Sequence, residues 1–211
     1  MAEKHIYLVR HGESEYNVAE TMLAQDTPLT ARGRAQAEVC ASRCASIHFE
    51  TIFTSTYQRA RVTGETIQQK TGKPLITNPL FLEYQYPDSV IGQPKKGGPS
   101  HLQMIGGIET RFPGGEDFAS MQSRAREALA FFAKREEGSM LLVSHGFFIN
   151  AMLTEMVFGE KGTFVEFEQL FHTFVASNTG ITHCIFDDEK LPERKWRVIT
   201  WNDDAHLGAI A

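Results

Sequence analysis

The sequence predicts an α/β sandwich of three layers: a mostly parallel mixed sheet with helices on both faces. Two observations carry that expectation. Ile6-Tyr7-Leu8-Val9 and Met140-Leu141-Leu142-Val143 are short, nearly all-apolar runs, which suits strands buried on both faces. Between them lie stretches whose apolar residues recur at helical spacing, and strands alternating with helices build parallel sheets.

The elements follow in order. After the first strand, Thr30 opens a helix in which Gly33, Ala37, Cys40, Ala41 and Cys44 share one small-residue face. Thr51-Ile52-Phe53 is the next strand. Ser55-Thr56-Tyr57-Gln58 reads as a capping box for a helix that continues through Ala60, Thr63, Gly64 and Ile67 until Gly72-Lys73-Pro74 stops it. From about Pro87 to Gly115 the chain is studded with glycine and proline and reads as a surface excursion. Leu102, Met104, Ile105, Ile108 and Phe112 would let it rest on the domain as a substrate lid. Phe118, Met121, Ala125, Leu129 and Phe132 then mark one helix face. The strand at 140–143 runs into Ser144-His145-Gly146 and a nearly all-apolar helix over Phe147–Met156, and two late strands lie near Ile181–Phe186 and Trp196–Trp201.

Composition bounds the function. A chain of 211 residues, 42% hydrophobic and 22% charged, is expected to form a single domain over 1–211 with a substantial core. Its 26 acidic against 21 basic residues, with no Lys/Arg run, argue against a general nucleic-acid partner. No apolar run approaches the roughly 20 residues of a membrane span. Met1-Ala2-Glu3-Lys4-His5 leads directly into a strand, leaving no room for a signal peptide, so a cytoplasmic protein is expected. Cys40, Cys44 and Cys184 cannot form a framework of paired bridges and read as small buried residues.

The chemistry lies at strand ends. One apolar strand ends in Arg10-His11-Gly12, a second in Ser144-His145-Gly146, and a third at Thr54-Ser55 with Arg59 in the helix that follows. Ligands of open α/β sheets bind outside the carboxyl ends of the strands, where helix N-termini add free N–H groups. Taken singly, each residue fits a structural role. Together, two histidines and two arginines delivered to one place suit a phosphate, whose oxygens match the arginine fork. Neither a P-loop, H-E-x-x-H nor G-x-S-x-G is present, so no metal site is expected.

Leu8-Val9-Arg10-His11-Gly12-Glu13-Ser14 with Asn17 resembles the signature of the histidine phosphatase superfamily, which includes the cofactor-dependent phosphoglycerate mutases. Further blocks resemble that family in order: Leu29-Thr30 with Gly33 and Gln36-Ala37, Thr54-Ser55 with Arg59-Ala60 and Thr63, Phe112-Pro113-Gly114-Gly115-Glu116, Val143-Ser144-His145-Gly146, and Asn202-Asp203 with His206-Leu207. The resemblance implies that His11 attacks phosphorus and that Arg10, Arg59 and His145 neutralise the phosphoryl oxygens. Ser14 and Asn17 would add neutral hydrogen bonds. Glu83 occupies the position of the family's proton donor, with Glu109 and Glu116 as substitutes. Here the chain departs from the family, reading Leu82-Glu83-Tyr84-Gln85-Tyr86-Pro87 where a glycine and a Trp-Glu-Gly turn are usual.

The expected activity is metal-independent hydrolysis of a small phosphorylated metabolite through a phosphohistidine, without a cofactor. The mutases carry an arginine pair in a longer insertion, which the resemblance implies grips carboxylate and phosphates; this excursion has Lys95-Lys96 and Arg111 instead. The alternatives are a phosphoglycerate mutase, which would need a 2,3-bisphosphoglycerate primer, and a catalytically idle binding or signalling module. Oligomeric state and natural substrate are not legible.

Overall fold

The computed structural model describes residues 3–96, 114–191 and 195–210. Among these, six strands form one sheet: β1 (Lys4–Arg10), β2 (Thr51–Thr54), β3 (Leu75–Thr77), β4 (Ser139–Ser144), β5 (Ile181–Phe186) and β6 (Trp196–Asp203). Their order is β3-β2-β4-β1-β5-β6. The four strands on the β3 side run parallel, and β5 and β6 are added antiparallel. The mostly parallel mixed sheet is as expected. Burial on both faces holds for Ile6, Leu8 and Val9, whereas Tyr7 is only half-buried and stacks on His183 at 4.6 Å.

The helices are α1 (Glu15–Val18), α2 (Ala31–Cys44), α3 (Gln58–Thr71), α4 (Phe118–Lys134), α5 (Gly146–Phe158) and α6 (Phe164–Thr173). Alternation along each strand sends Val9, Ile52, Leu141 and Val143 to one face, where α2 and α3 bury Cys40, Ala41, Cys44, Ala60 and Ile67. Leu8, Phe53 and Leu142 point to the other face, against Ala125, Phe132, Phe148 and Phe167. Thr30 caps α2 by accepting the Gly33 N–H at 2.9 Å, and the small-residue face is buried as read. All three cysteines are free and buried. No helix among the described residues is long and apolar enough to cross a membrane.

Three local readings need correction or extension. The box at Ser55–Gln58 does not cap α3, which begins at Gln58 with Tyr57 as its N-cap. Asp26 takes the capping role, its Oδ1 accepting the Gln58 N–H at 2.6 Å, while the Ser55 hydroxyl is engaged by His145. The short α1, the edge strand β3 and the aromatic α6 are additional to the sequence reading. Of the excursion, residues 87–96 and 114–115 are described. Its start is pinned to the chain before α2, through Gly92 N–H to Met22 O at 2.7 Å and Lys95 N–H to Glu20 O at 2.9 Å. Glu109, Arg111 and the apolar residues assigned to a lid lie outside the described residues.

The turn after β1 is held by close backbone contact. A Cβ on Gly33 would lie 1.8 Å from Glu13 O, and one on Gly12 would lie 2.4 Å from Gly33 O. Glu13 O also accepts the Thr30 N–H at 3.0 Å, and Gly12 N–H donates to Thr63 Oγ1 at 3.2 Å. The first turn of α2 therefore fixes the backbone beside His11. Gly33→Ala is expected to lower stability by roughly 1–3 kcal/mol, the usual cost of overpacking, because both partners are backbone and cannot rotate away. Chemical denaturation read by circular dichroism checks this; an unchanged midpoint would show that α2 can shift freely.

Candidate active site

β1, β2 and β4 end side by side, so Arg10, His11, Ser55 and His145 are delivered together. The register pairs Arg10 with Ser144 and Thr54 with Val143. His11 N–H donates to Ser144 O at 3.0 Å, and Ser55 N–H to Val143 O at 3.1 Å. The His11 and His145 rings lie 5.0 Å apart and cross at 61°. Above them opens a cavity of about 390 Å³, whose walls include Arg10, His11, Asn17, Arg59 and Glu83.

Hydrogen bonds fix the state of His11. Its Nδ1 lies 2.7 Å from Gly12 O, and Arg59 Nε lies 3.0 Å from its Nε2. Arginine has no acceptor, so Nε2 must supply the lone pair and the proton must reside on Nδ1, where Gly12 O receives it. Burial, then the neighbouring Arg59 and Arg10, hold the His11 pKa well below its ordinary value, so the ring is neutral. His145 is fully buried beneath the cavity floor. Its Nε2 lies 2.8 Å from Ser55 Oγ, which already accepts the Tyr57 N–H at 3.3 Å. The Ser55 hydroxyl can therefore either donate to Nε2 or accept from it, according to which ring nitrogen carries the proton. His145 Nδ1 is buried and unpartnered among the described residues. Burial and the same arginines also depress its pKa well below the ordinary value.

The arginines are not solvated. Arg59 is 4% exposed, donates through Nη1 to Gln25 O, and lies 5.1 Å from the Tyr57 ring centroid. Arg10 donates from Nη1 to Ala176 O at 2.5 Å, while its Nε is buried and unpartnered. Arg10 Nε, a donor, and His145 Nδ1 are thus both buried at the same strand ends without a partner among the described residues. A buried guanidinium donor of this kind suits an anion.

Glu83 is half-buried and accepts backbone N–H groups at the start of α5: Phe148 to Oε1 at 3.0 Å and Phe147 to Oε2 at 3.3 Å. Burial raises its pKa above the usual carboxylate value; Arg59 and these backbone donors oppose the rise. Asn17 reaches the cavity wall, but Ser14 does not. Ser14 is fully buried, and its hydroxyl and N–H donate to Asn17 Oδ1 at 3.0 and 2.9 Å, closing the four-residue α1. In this geometry Ser14 serves as the cap of α1. Glu116 is bound by Arg124 at 2.8 Å and is not among the cavity-lining residues.

Sequence reasoning missed several wall residues, among them Tyr16, Gln25, Asn150, Phe171 and Ala176. The pattern Thr163-x-x-Glu166 ahead of Phe167 and Phe171 is a readable start for α6, which brings Phe171 to the site. Asn178 donates from Nδ2 to His11 O at 2.9 Å. Thr179 is held at φ 61°, uncommon for a β-branched residue, with its N–H on Arg10 O at 2.9 Å. Nothing local in the sequence announces that turn.

Comparison with known proteins bears on this geometry. The family model for the histidine phosphatase superfamily (branch 1) matches residues 6–204. A probable phosphoglycerate mutase GpmB from Serratia proteamaculans is 34% identical, with 72% of this chain and 74% of that protein covered. Its counterpart from Escherichia coli K12 is 32% identical over 98% of this chain and 96% of its own. Among solved structures, Bacillus stearothermophilus YhfR superposes with a TM-score of 0.78 at 25% identity, covering 97% of this chain and 99% of its own. A mutant phosphoserine phosphatase from Entamoeba histolytica, solved in complex with phosphoserine, superposes at 0.74 and 23% identity, covering 97% and 99%, and supports the fold. With the family model matched from β1 to the end of β6, this chain belongs to the histidine phosphatase superfamily (branch 1).

Proposed function

We propose that this enzyme hydrolyses small phosphomonoesters through a phosphohistidine on His11, with no metal in the step. The observation that carries the proposal is the lone pair of His11 Nε2, held in a neutral ring by the Gly12 carbonyl below and cationic neighbours around it. A phosphoryl group entering the cavity would draw Arg59 Nε off Nε2 and onto its own oxygens. Arg10 Nε would then gain an acceptor, as would His145 with its ring proton on Nδ1, so charge stabilisation comes from groups already in place.

In the first step His11 Nε2 forms a bond to phosphorus, the ester P–O bond breaks, and the leaving oxygen takes the Glu83 proton. In the second, water attacks phosphorus, its proton goes to the Glu83 carboxylate, and the P–N bond breaks to return neutral His11 and inorganic phosphate. A raised carboxyl pKa suits an acid that must carry a proton in one step and regain it in the next.

Hydrolysis is favoured over mutase chemistry by the wall beyond the phosphate contacts. Among the described residues it comprises Tyr84, Phe147, Phe171 and Val175 with Asn150 and His172, and has no arginine or lysine to grip a second phosphate or a carboxylate. The names of the curated relatives favour the mutase as the second reading. A bisphosphoglycerate primer would be its cofactor, and a requirement for one would separate the two. A small phosphorylated metabolite is the partner in either reading.

Rapid quenching with a labelled phosphomonoester is expected to trap an acid-labile, base-stable phosphoenzyme, undiminished by chelator and absent in His11→Ala; label on another residue would reject the assignment. The pH profile follows from the two shifts. Activity needs His11 unprotonated, a condition lost only well below its ordinary pKa, and Glu83 protonated, a condition lost as pH rises through its raised pKa. Alkyl phosphates should therefore be hydrolysed best on the acid side of neutrality, and Glu83→Gln should remove the alkaline limb and most of the rate. A profile that keeps that limb in Glu83→Gln would remove Glu83 from the role. Arg59→Ala should keep its fold, because Asp26 caps α3 independently, and lose roughly 10²–10³ in turnover, the scale for one charge-stabilising donor. Unfolding, or near-parent turnover, would return Arg59 to a structural role.

A further inference from the structure

The segment carrying Glu83 has no regular structure of its own beyond a 3-10 turn at Pro79–Phe81, yet its backbone is held at nearly every residue. Arg124 of α4 does most of the holding. Its Nη1 donates to Leu82 O at 2.5 Å and Leu80 O at 3.2 Å, and its Nη2 to Glu83 O at 3.3 Å. The other side of the guanidinium grips Glu116, Nε to Oε1 at 2.9 Å and Nη2 to Oε2 at 2.8 Å. Glu116 completes the clasp: its Oε2 accepts the Gln85 N–H at 3.1 Å, and its own N–H donates to Gln85 O at 2.6 Å. Both side chains are mostly buried, at 16% and 10% exposure.

The clasp also touches the other support of the carboxylate. The guanidinium carbon of Arg124 lies 4.3 Å from the centroid of the Phe148 ring, and Phe148 N–H is one of the donors to Glu83 Oε1. One planar side chain thus spans the loop that carries Glu83 and the helix start that binds its carboxylate. Lysine could supply the charge but not this fork, since three carbonyls and a bidentate carboxylate require fixed, divergent N–H directions.

We infer that Arg124 and Glu116 form a positioning pair that sets the carboxyl of Glu83 over the leaving-group oxygen. The inference rests on the reading of Glu83 as proton donor. It gives Glu116, one of the substitutes for that donor, a different task. The pair acts on proton delivery, so its loss matters in proportion to how much the leaving group needs a proton. An aryl phosphate with a good leaving group departs without one; an alkyl phosphate does not.

The test compares Arg124→Lys, Arg124→Met and Glu116→Gln on p-nitrophenyl phosphate and on a simple alkyl phosphate, with Glu83→Gln alongside. Each variant of the pair should lose roughly 10²-fold in kcat/KM, which reports the transfer to His11 alone, on the alkyl ester, the scale of a slight misplacement of a reacting group, and keep a near-parent kcat/KM on the aryl ester. Arg124→Lys should not rescue Arg124→Met. In the Glu83→Gln background, Arg124→Lys should cost little more on the alkyl ester, because the group it positions is already gone. Equal losses on both esters, or additive losses in the double variant, would reduce the pair to structural support and overturn the inference. If Glu83→Gln itself fails to separate the two esters, the proton-donor reading falls first and takes the inference with it. Circular dichroism identifies any variant that fails to fold, and Glu116→Gln, which keeps the Arg124 guanidinium, carries the test in place of Arg124→Met.

Discussion

Two guanidinium groups, Arg59 buried and Arg10 half-buried, lie beside two imidazoles whose pKa values are held well below the ordinary value, and the rest of the site follows from that constraint. A buried cation needs acceptors. Here Arg59 finds the His11 lone pair, the Gln25 carbonyl and the Tyr57 ring face, while Arg10 finds the Ala176 carbonyl. All of these acceptors are neutral. Among the described residues lining the cavity, Glu83 is the one carboxylate, and its own pKa is pushed up. The cluster is left short of negative charge. The cations that depress both histidine pKa values are therefore the groups an entering phosphoryl dianion would neutralise.

Such a cluster is useful only if the backbone beneath it cannot relax. The turn at Gly12 is pressed by Gly33 from α2 and tied by Thr63 from α3, so both helices on that face converge on the carbonyl that orients His11. On the opposite side, Asn178 holds the His11 carbonyl and the strained Thr179 holds that of Arg10. Strain of this kind persists where surroundings over-determine it, and here it is anchored by hydrogen bonds on both sides. The orientation of one imidazole thus rests on three separate segments.

The strands other than β3, together with α2, α4 and α5, were legible because their apolar residues form short runs or recur at helical spacing, and Arg10, His11, Arg59 and His145 were legible because strand ends must meet. Less was legible where partners are distant. The N–H groups that bind Glu83 come 64 and 65 residues later, so its sequence neighbours could not say whether it was solvated. The Ser55–Gln58 box was misread for the same reason: Asp26 supplies the cap from 32 residues away, and His145 claims the hydroxyl. Ser14 illustrates the converse. A motif placed it against phosphate, and in this structure its hydroxyl donates to Asn17 Oδ1. Membership in a family assigns positions; local hydrogen bonding decides what each one does.

Glu83 brings these points together. A carboxylate at a helix N-terminus is ordinarily stabilised in its charged form by the N–H groups and the helix dipole. Those donors act here, and so does Arg59, yet burial outweighs them and the pKa rises. The balance matters because the same three residues that begin α5 also follow His145 directly. Gly146, Phe147 and Phe148 therefore join the histidine beneath the phosphate site to the N–H groups that hold the carboxyl. The spacing between an anion-binding group and an acid is thereby inherited from a helix start, a rigid element, although the acid itself rides on a loop. The loop needs only to be pressed against that start, and the Arg124–Glu116 clasp on its far side presses it there. The carboxyl proposed to yield a proton and regain it is thus poised between burial, which favours its neutral form, and the Arg59 and backbone donors, which favour the charged one.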